Sequence, residues 1–344
     1  MNVALTYNVK RNKPSVGLEK QIDIEFDTPQ VTQAEKEAIE SFGHKAFLVE
    51  ADENAFLKLK KLKGKIDIVF NVAEGLWGEA RETQIPMICE ILRIPYTHSG
   101  PTTHTISLDK SFTKLVLHGA NGINVPDSRV VRGRDYIIPD SLKFPLIIKP
   151  NSEGSSKGVM DKNVVRNRKD LKSRIEVTSE NFAKEVLVEE YIEGREFTVA
   201  IIGNGNPRVL PIIEQKFDFL PKGMNKIASF ELKWQYEDSL RDLHDAYDCP
   251  AKIDKKLEEE IENTSREIFK LLDVRDCARI DYRLDQNGKL FFLEINTLPG
   301  INPSPDEISY FPIAARTAGM SFTEMVGEIL NLACERYGIK FDRS

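Results

Sequence analysis

The sequence has few of the residues that build disulfides or zinc sites. Its four cysteines (Cys89, Cys249, Cys277 and Cys334) are scattered along 344 residues, and no pair has the C-x-x-C spacing. The five histidines include no H-E-x-x-H pattern. So little cysteine in so long a chain excludes a disulfide-stapled scaffold and indicates a reducing compartment. These spacings do not support zinc chemistry.

Long apolar runs and an excess of basic residues are also absent. No stretch approaches the roughly 18 apolar residues of a membrane span, and the opening MNVALTYNVKRNK lacks the apolar core of a signal peptide. Lys and Arg number 48 against 54 Asp and Glu, a net charge of -6, which disfavours a dedicated nucleic-acid binder. We therefore expect a cytoplasmic protein without a membrane or nucleic-acid partner.

Strand and helix signals alternate over the first hundred residues. Strand patterns cover 3–7, 45–49 and 66–70, and helical patterns cover 32–41 and 83–92. Such alternation implies a parallel sheet with helices on both faces, and therefore an α/β fold. The loop 71–75 follows the third strand, at the edge where open sheets bind ligands.

The pattern changes after residue 100. A helix ends near 118, a β-rich stretch covers 144–150, another begins near 186, and an amphipathic helix spans 255–272. We predict an α+β character for these later parts and three domains in all, at 1–100, 101–187 and 188–344. The weakly periodic stretch 219–244 is long for a loop, and loops of that length are often functional.

The most informative segment is a predicted hairpin. Two alternating runs, 278–285 and 290–296, flank Asn287-Gly288, which is a strong hairpin signal. If these two residues form a two-residue turn, Asp281 lies opposite Glu294 and Arg279 lies opposite Asn296, all on one face. The other face is then a core face, made of Ile280, Tyr282, Leu284, Phe291, Leu293 and Ile295.

Two facing carboxylates suggest a cation between them. With Cβ atoms roughly 5 Å apart, Asp281 and Glu294 repel each other unless a positive charge intervenes. A set of Asp, Glu and Asn oxygens suits Mg²⁺, which commonly binds carboxylates together with substrate phosphates. The alternative is a solvated polar face on which Arg279 and Arg283 neutralise the acids. The argument depends on the length of the turn.

Two further segments suit a nucleotide. The small-residue loop 151–158, between strand 146–150 and a predicted strand Val159-Met160, lets backbone N–H groups approach phosphate oxygens, and Lys149 adds a charge. It is neither the P-loop nor the dinucleotide fingerprint, and an ordinary hairpin turn is the alternative. The strand edge 189–192, with the turn 194–196 that follows it, offers backbone groups to an adenine and a carboxylate to ribose hydroxyls; a plain acidic loop is the alternative there.

Taken in order, these segments resemble the ATP-grasp superfamily, and within it the D-alanine–D-alanine ligases and their relatives. The resemblance covers most of the chain from about residue 70, and the combination is more specific than any one motif. The matching stretches are IPYTHSG with SLDKSFTK, FPLIIKPNSEGSSKG, VLVEEYIEGREFTVAI, FELKW with YDCPA, and ARIDYRLDQNGKLFFLEINTLPG with AARTAGMSFTEMV. The resemblance implies an ATP-grasp fold with ATP between the central and C-terminal domains.

The resemblance also implies roles for individual residues. Those expected to contact ATP are Lys110, Lys149, Glu153, Ser155, Ser156, Glu189, Tyr191, Ile192, Glu196, Lys233 and Phe292. Two Mg²⁺ ions, with Mn²⁺ as a substitute, are expected on Asp281, Glu294 and Asn296. The expected catalytic groups are Arg279, Ser155, Lys233 and the backbone at Gly300, with Glu25 or Asp27 binding the amino group of the first substrate.

The implied reaction is ATP-dependent joining of a carboxylate to an amine. A substrate carboxylate attacks the γ-phosphoryl group to give an acyl phosphate and ADP, and an amine then attacks the acyl carbon while Arg279 stabilises the oxyanion. The implied partners are small amino-acid substrates, and a homodimer is left open. Because catalysis of this kind is mostly positioning, we expect residues 217–234, here called the lid segment, to close over the site.

Three departures from the family pattern fall on substrate contacts. Trp234 stands where the motif usually ends in tyrosine, Pro305 lies near the position of a serine that binds the acceptor carboxylate, and the first domain lacks a Gly-Gly-rich turn. A ligase of other amino acids or of a specialised metabolite therefore competes with a dialanine ligase. A catalytically silent ATP-binding module is a further alternative, although the joint presence of Arg279, Asp281, Glu294 and Asn296 argues against it.

Overall fold

Each successive part of the chain builds its own β-sheet. The computed structural model describes residues 1–11, 22–120, 122–133, 136–182, 185–237 and 240–341, and these form three sheets. The mixture of a parallel α/β part with two antiparallel parts confirms the predicted fold class. None of the helices described here is long and apolar enough to cross a membrane.

The first sheet is parallel, as the alternating pattern predicts. Its strands are β1 (Asn2–Tyr7), β2 (Lys45–Glu50) and β3 (Ile68–Asn71), in the order β2-β1-β3. The helices are α1 (Pro29–Ser41), α2 (Ala55–Leu62) and α3 (Gln84–Leu92). Thr28 caps α1, and Pro29 at its first turn needs no hydrogen bond for its nitrogen. Helix α2 is an element that the sequence analysis did not identify.

The second sheet is antiparallel. Helices α4 (Pro101–Leu108) and α5 (Lys110–Leu117) precede it, and α6 (Arg168–Asn181) packs on β5 and β7. The strands are β4 (Ser128–Arg132), β5 (Leu146–Pro150), β6 (Val164–Val165) and β7 (Glu185–Glu190), in the order β4-β7-β5-β6. The predicted strand Val159-Met160 is wrong: the Val159 carbonyl accepts a hydrogen bond from the N–H of Phe230 (2.7 Å), and after the loop the chain first returns to pair with β5 at β6.

The third sheet completes the fold. Its strands are β8 (Gly194–Ile202), β9 (Arg208–Val209), β10 (Ile213–Gln215), β11 (Tyr247–Asp248), β12 (Cys277–Asp285) and β13 (Leu290–Asn296). They run β11-β10-β8-β12-β13, with β9 on β8, and all the pairs are antiparallel. The helices are α7 (Lys255–Leu271), α8 (Tyr310–Thr317) and α9 (Phe322–Tyr337).

One apolar cluster joins Leu5 and Phe70 of the first sheet to Phe311 and Ile329. The domain boundaries at 100 and 187 stay a prediction.

The hairpin of β12 and β13 has the predicted pairs at one end and a different register at the other. Asp281 faces Glu294 and Arg279 faces Asn296, but Tyr282 faces Phe292 across a β-bulge. The predicted two-residue turn is wrong, because the N–H of Asp285 donates to the carbonyl of Lys289 (3.0 Å), which leaves three residues in the turn. The bulge takes up this one-residue shift before the strands reach Asp281.

Candidate active site

A cavity opens between the second and third sheets. It encloses about 850 Å³, open solvent at its mouth included. Its walls combine apolar side chains with charged ones. Among its described lining residues are Lys110, Ile147, Lys149, Glu153, Ser156, Val159, Glu189, Tyr191, Ile192, Glu196, Ile227, Lys233, Arg279, Asp281, Arg283, Leu293, Glu294 and Tyr310. Most of the side chains that the sequence analysis selected therefore meet in one place.

Buried lysines from two elements face this cavity. Lys149 on β5 donates to Glu189 Oε1 on β7 (2.9 Å), and Lys110 at the start of α5 donates to the Glu153 carbonyl (2.6 Å). Burial alone would lower the pKa of Lys149, but Glu189 and Glu294 raise it. The raised pKa favours the charged form of Lys149, which suits phosphate oxygens.

The loop that contains residues 151–158 curls over the cavity rather than forming a simple hairpin turn. Ser155 and Ser156 both have left-handed φ values, of 48° and 59°. The Ser156 hydroxyl donates to the carbonyl of Ala228 in the lid segment (2.6 Å), which connects loop and lid. Ser156 and Glu153 line the cavity, whereas Ser155 is not part of its described wall.

The strand edge 189–192 forms another wall, but part of its backbone is already paired. The N–H of Tyr191 donates to the carbonyl of Pro145 (2.9 Å), and the Ile192 carbonyl accepts from Arg283 Nη1 (3.1 Å). Glu196 is 5% exposed and accepts a hydrogen bond from Arg283 Nε (2.9 Å). Burial raises the pKa of Glu196, and Arg283 opposes this shift.

The hairpin carboxylates lie among cations. Asp281 accepts from Arg279 Nη2 (3.1 Å) and from the Thr198 hydroxyl (2.9 Å), while Glu294 Oε2 lies 3.3 Å from Lys110 Nζ. Although burial opposes it, Lys110 and Lys149 lower the pKa of Glu294 to about 2. Glu294 therefore presents an ionised carboxylate to the cavity.

The donor set of the hairpin fits Mg²⁺. Asp281 and Glu294 face each other, and Asn296 lies two residues further along β13 with its Oδ1 accepting from the N–H of Leu298 (3.0 Å). In the described ranges, no three His, Cys, Asp or Glu side chains converge on one point. A magnesium ion held here would therefore take its other ligands from phosphates and water, as this ion commonly does.

Of the groups expected to act on the reacting carbonyl, two side chains line the cavity and Gly300 is not among its described lining residues. Arg279 and Lys233 line it, and burial together with Arg279 lowers the pKa of Lys233. Gly300 is exposed beyond the end of β13, and its carbonyl accepts from the Ser309 hydroxyl (3.1 Å). Trp234 packs on Phe230, and Lys10 Nζ lies 4.8 Å above its ring.

Glu25 comes close to the phosphate loop. A Cβ added at Gly154 would lie 2.2 Å from Glu25 Oε1, so glycine is needed there for this approach. The other oxygen of Glu25 accepts from Arg81 Nη2 (2.8 Å), and Arg81 Nη1 also donates to the Ser152 carbonyl (2.9 Å). Burial raises the pKa of Glu25 despite Arg81, and burial raises that of Asp27 to about 7.

Because of the hairpin bulge, the residue of β13 that lines the cavity differs from the expected Phe292. Phe292 is 1% exposed in the core beside Ile280, and it is Leu293 that lines the cavity. The same shift puts Leu290 and Phe292, rather than Phe291 and Leu293, on the core face. Arg283 and Tyr310 also line the cavity; Tyr310 follows a loop after β13 and no sequence pattern pointed to it.

A cavity lined by buried lysines and by a facing pair of carboxylates is typical of an ATP-dependent ligase of the ATP-grasp class. Comparison with known proteins agrees. Residues 121–331 match the family model described as the D-ala D-ala ligase C-terminus. The D-alanine–D-alanine ligase of Aquifex aeolicus is 34% identical over 300 residues, covering 87% of this chain and 92% of that protein. The D-alanine–D-alanine ligase of Fervidobacterium nodosum is 31% identical, and the match covers 87% of this chain and 92% of that protein.

Further matches extend the comparison. The Sinorhizobium fredii protein called Uncharacterized protein y4sG is 34% identical, covering 87% of this chain and 86% of that one. The D-alanine–D-alanine ligase of Bacillus anthracis, solved in complex with ATP, superposes with a TM-score of 0.74 at 22% identity, covering 98% of this chain and 99% of that chain. This last likeness shows the fold. The chain belongs to the D-alanine–D-alanine ligase family and is an ATP-dependent ligase of that type.

Proposed function

We propose that this protein joins the carboxylate of one amino acid to the amine of another through an acyl phosphate, releasing ADP and phosphate. The observation that carries the proposal is the meeting of Asp281 and Glu294 with Lys149, Lys233 and Arg279 around one cavity. A cytoplasmic location belongs to the proposal because ATP is abundant there.

The proposal divides the cavity between the two halves of ATP. Ile147, Val159, Ile227 and Leu293 form an apolar slot for adenine, next to the backbone of Tyr191 and Ile192 and the carboxylate of Glu189. Glu196 would bind the ribose while keeping its contact with Arg283. Lys149, Lys110 and the loop at Glu153, Ser155 and Ser156 would hold the phosphates. Asp281, Glu294 and Asn296 would hold two Mg²⁺ or Mn²⁺ ions, which would neutralise the charge of the transferring phosphoryl group.

The chain's own charges then carry the chemistry. A donor carboxylate oxygen attacks the γ-phosphorus, the bond to the β-phosphate oxygen breaks, and Lys149 and Lys233 stabilise the charge on the equatorial oxygens. The amine next attacks the acyl carbon, and Arg279, with the backbone at Gly300, stabilises the oxyanion before phosphate leaves. In this proposal Glu25 binds the donor's amino group while shared with Arg81, and Asp27 is the second candidate.

The acceptor site departs from the pattern of the family, and we propose that D-alanine is a poor acceptor. Pro305 is exposed in the loop after β13 and offers neither a hydroxyl nor a backbone N–H to an acceptor carboxylate. A missing donor to a charged group costs about 1.5–3 kcal/mol, or roughly ten- to a hundredfold in affinity. Trp234 offers only an indole N–H in place of a phenol.

The test is phosphate release from ATP and Mg²⁺ across a matrix of D- and L-amino acid pairs. We expect an amide product with some pair, and kcat/KM for D-alanine as acceptor at least tenfold below that of the best amine. The same matrix is run on Lys233→Met. Phosphate release that persists in this variant comes from a contaminating ATPase rather than from this site. Release with no pair would favour the silent ATP-binding module. D-alanine with D-alanine as the best pair would refute the acceptor proposal alone.

A further inference from the structure

A second buried lysine lies behind the nucleotide site. Lys110 and Lys114 are one helical turn apart on α5, so they lie on the same face of that helix. Lys110 reaches the cavity, whereas Lys114 is 3% exposed and does not line it. Its ammonium donates a hydrogen bond to the Leu293 carbonyl on β13. Lys114 ends the matching stretch SLDKSFTK, but no role was assigned to it from the sequence.

Lys114 and Lys149 share one counter-ion. Glu189 is 1% exposed; its Oε1 accepts from Lys149 Nζ (2.9 Å), and its Oε2 lies 3.0 Å from Lys114 Nζ. One buried carboxylate therefore sits between two ammonium groups. Both lysines, though opposed by burial, lower the pKa of Glu189, so the acid stays ionised. A buried carboxylate of this kind needs a cation at all times.

Nucleotide binding is expected to disturb the ion pair of Glu189 with Lys149 and to leave its ion pair with Lys114 in place. If ATP binds as proposed above, Lys149 faces the phosphates and Glu189 must loosen its hold on it. Lys114 is excluded from the cavity and is held by the Leu293 carbonyl, so its ion pair with Glu189 can persist. Without Lys114, Lys149 would be the remaining close cation for Glu189 within the described ranges, and moving it toward phosphate would leave a buried negative charge without a partner.

We propose that Lys114 is a positioning residue that neutralises Glu189 and so releases Lys149 to bind the phosphates of the nucleotide. This inference rests on the proposed ATP site and adds a residue to it. Lys114 acts through Glu189 and Lys149 and touches no reacting atom. Removing the Lys114 ammonium is therefore expected to weaken the binding of a ligand more, the more phosphate charge that ligand carries.

The test compares two ligands that differ in their phosphates. Calorimetry on Lys114→Met with ADP and Mg²⁺ is expected to give an affinity about ten- to a hundredfold below wild type, the loss associated with a weakened charged hydrogen bond. Adenosine, measured by displacement of ADP, is expected to bind within about threefold of wild type, because it does not use Lys149. Lys114→Arg keeps the charge and is expected to recover most of the ADP affinity. Lys172→Met, at an exposed lysine of α6, is the matched control.

A double variant separates charge balance from damage to the fold. In Lys114→Met combined with Glu189→Gln, no buried charge competes for Lys149, so ADP affinity is expected to rise at least fivefold above that of Lys114→Met. Equal losses for adenosine and ADP in Lys114→Met, or a double variant as weak as the single one, would overturn the inference. Wild-type protein that bound no ADP would instead overturn the proposed ATP site.

Discussion

At the scale of single residues, the decisive feature is that each acid of the site has a different partner. Asp281 pairs with Arg279, Glu196 pairs with Arg283, and Glu294 lies beside Lys110. Of the two arginines expected to neutralise the hairpin acids, Arg279 does so, whereas Arg283 pairs with Glu196. Glu294 retains an exposed fraction of 36% of its side chain, which leaves it open to a metal ion.

This arrangement predicts that removing a carboxylate charge at the metal site abolishes turnover while the fold is retained. Asp281→Asn and Glu294→Gln keep side-chain size but remove the ionised oxygen that Mg²⁺ prefers. We expect each to lower kcat by at least about a hundredfold, the scale seen when transition-state electrostatic groups are removed, with the far-ultraviolet circular dichroism unchanged. Glu260→Gln, at an exposed position of α7, is the control. Near-normal turnover of either variant at limiting Mg²⁺ would show that the hairpin does not hold the ion.

At the scale of elements, the hairpin shows how far sequence reasoning reaches. Period-two alternation and Asn287-Gly288 located both strands, and the pair Asp281 and Glu294 is as predicted. The turn length was wrong, and the bulge beside Asp281 compensated for it. Turn length and bulge position depend on packing against neighbouring strands, here β8 on the other side of β12. A local pattern contains no information about that packing, so Leu293 was missed and Phe292 was misplaced.

The lid segment is the element most open to a direct test. Asn225 holds this segment in place. Its backbone N–H donates to Asp161 Oδ1 (2.7 Å), and its side-chain Nδ2 donates to the Asp161 carbonyl (3.0 Å). The nearby Lys226 carbonyl accepts from the Tyr191 hydroxyl (3.0 Å). Asn225→Ala removes the side-chain bonds, worth about 0.5–1.5 kcal/mol each. The closed lid would then be less populated.

We expect Asn225→Ala to raise the KM for ATP about three- to tenfold, because binding must then supply the lost closure energy. It should also raise the ratio of phosphate released to amide formed, since an open lid admits water. Steady-state kinetics with product quantification gives both numbers, and Asn181→Ala, at an exposed position of α6, serves as the comparison. An unchanged KM and an unchanged ratio would mean that 217–234 is not a lid.

At the scale of the whole molecule, interactions distant in sequence assemble the site. Arg336 on α9 donates to Asp276 Oδ2 (2.7 Å) and to the Tyr96 carbonyl (3.0 Å), and Asp276 also accepts from the N–H of His98 (2.8 Å). The end of the first sheet is thereby tied to the strand that carries Arg279 and Asp281. Periodicity located the separate helices and strands. These ties join residues 60 to 240 positions apart and leave no periodic trace in the sequence. The family resemblance, rather than composition, supplied the arrangement of sheets around ATP.

The central claim is that a substrate carboxylate, rather than water, takes the phosphoryl group from ATP. The most direct measurement uses the best donor from the matrix with both carboxylate oxygens labelled with ¹⁸O. The carboxylate oxygen that attacks phosphorus leaves with phosphate when the amine displaces it, so each phosphate released should carry one ¹⁸O, together with one ADP and one amide. Phosphate free of the label would contradict the account, because it would show that the protein hydrolyses ATP without activating the carboxylate.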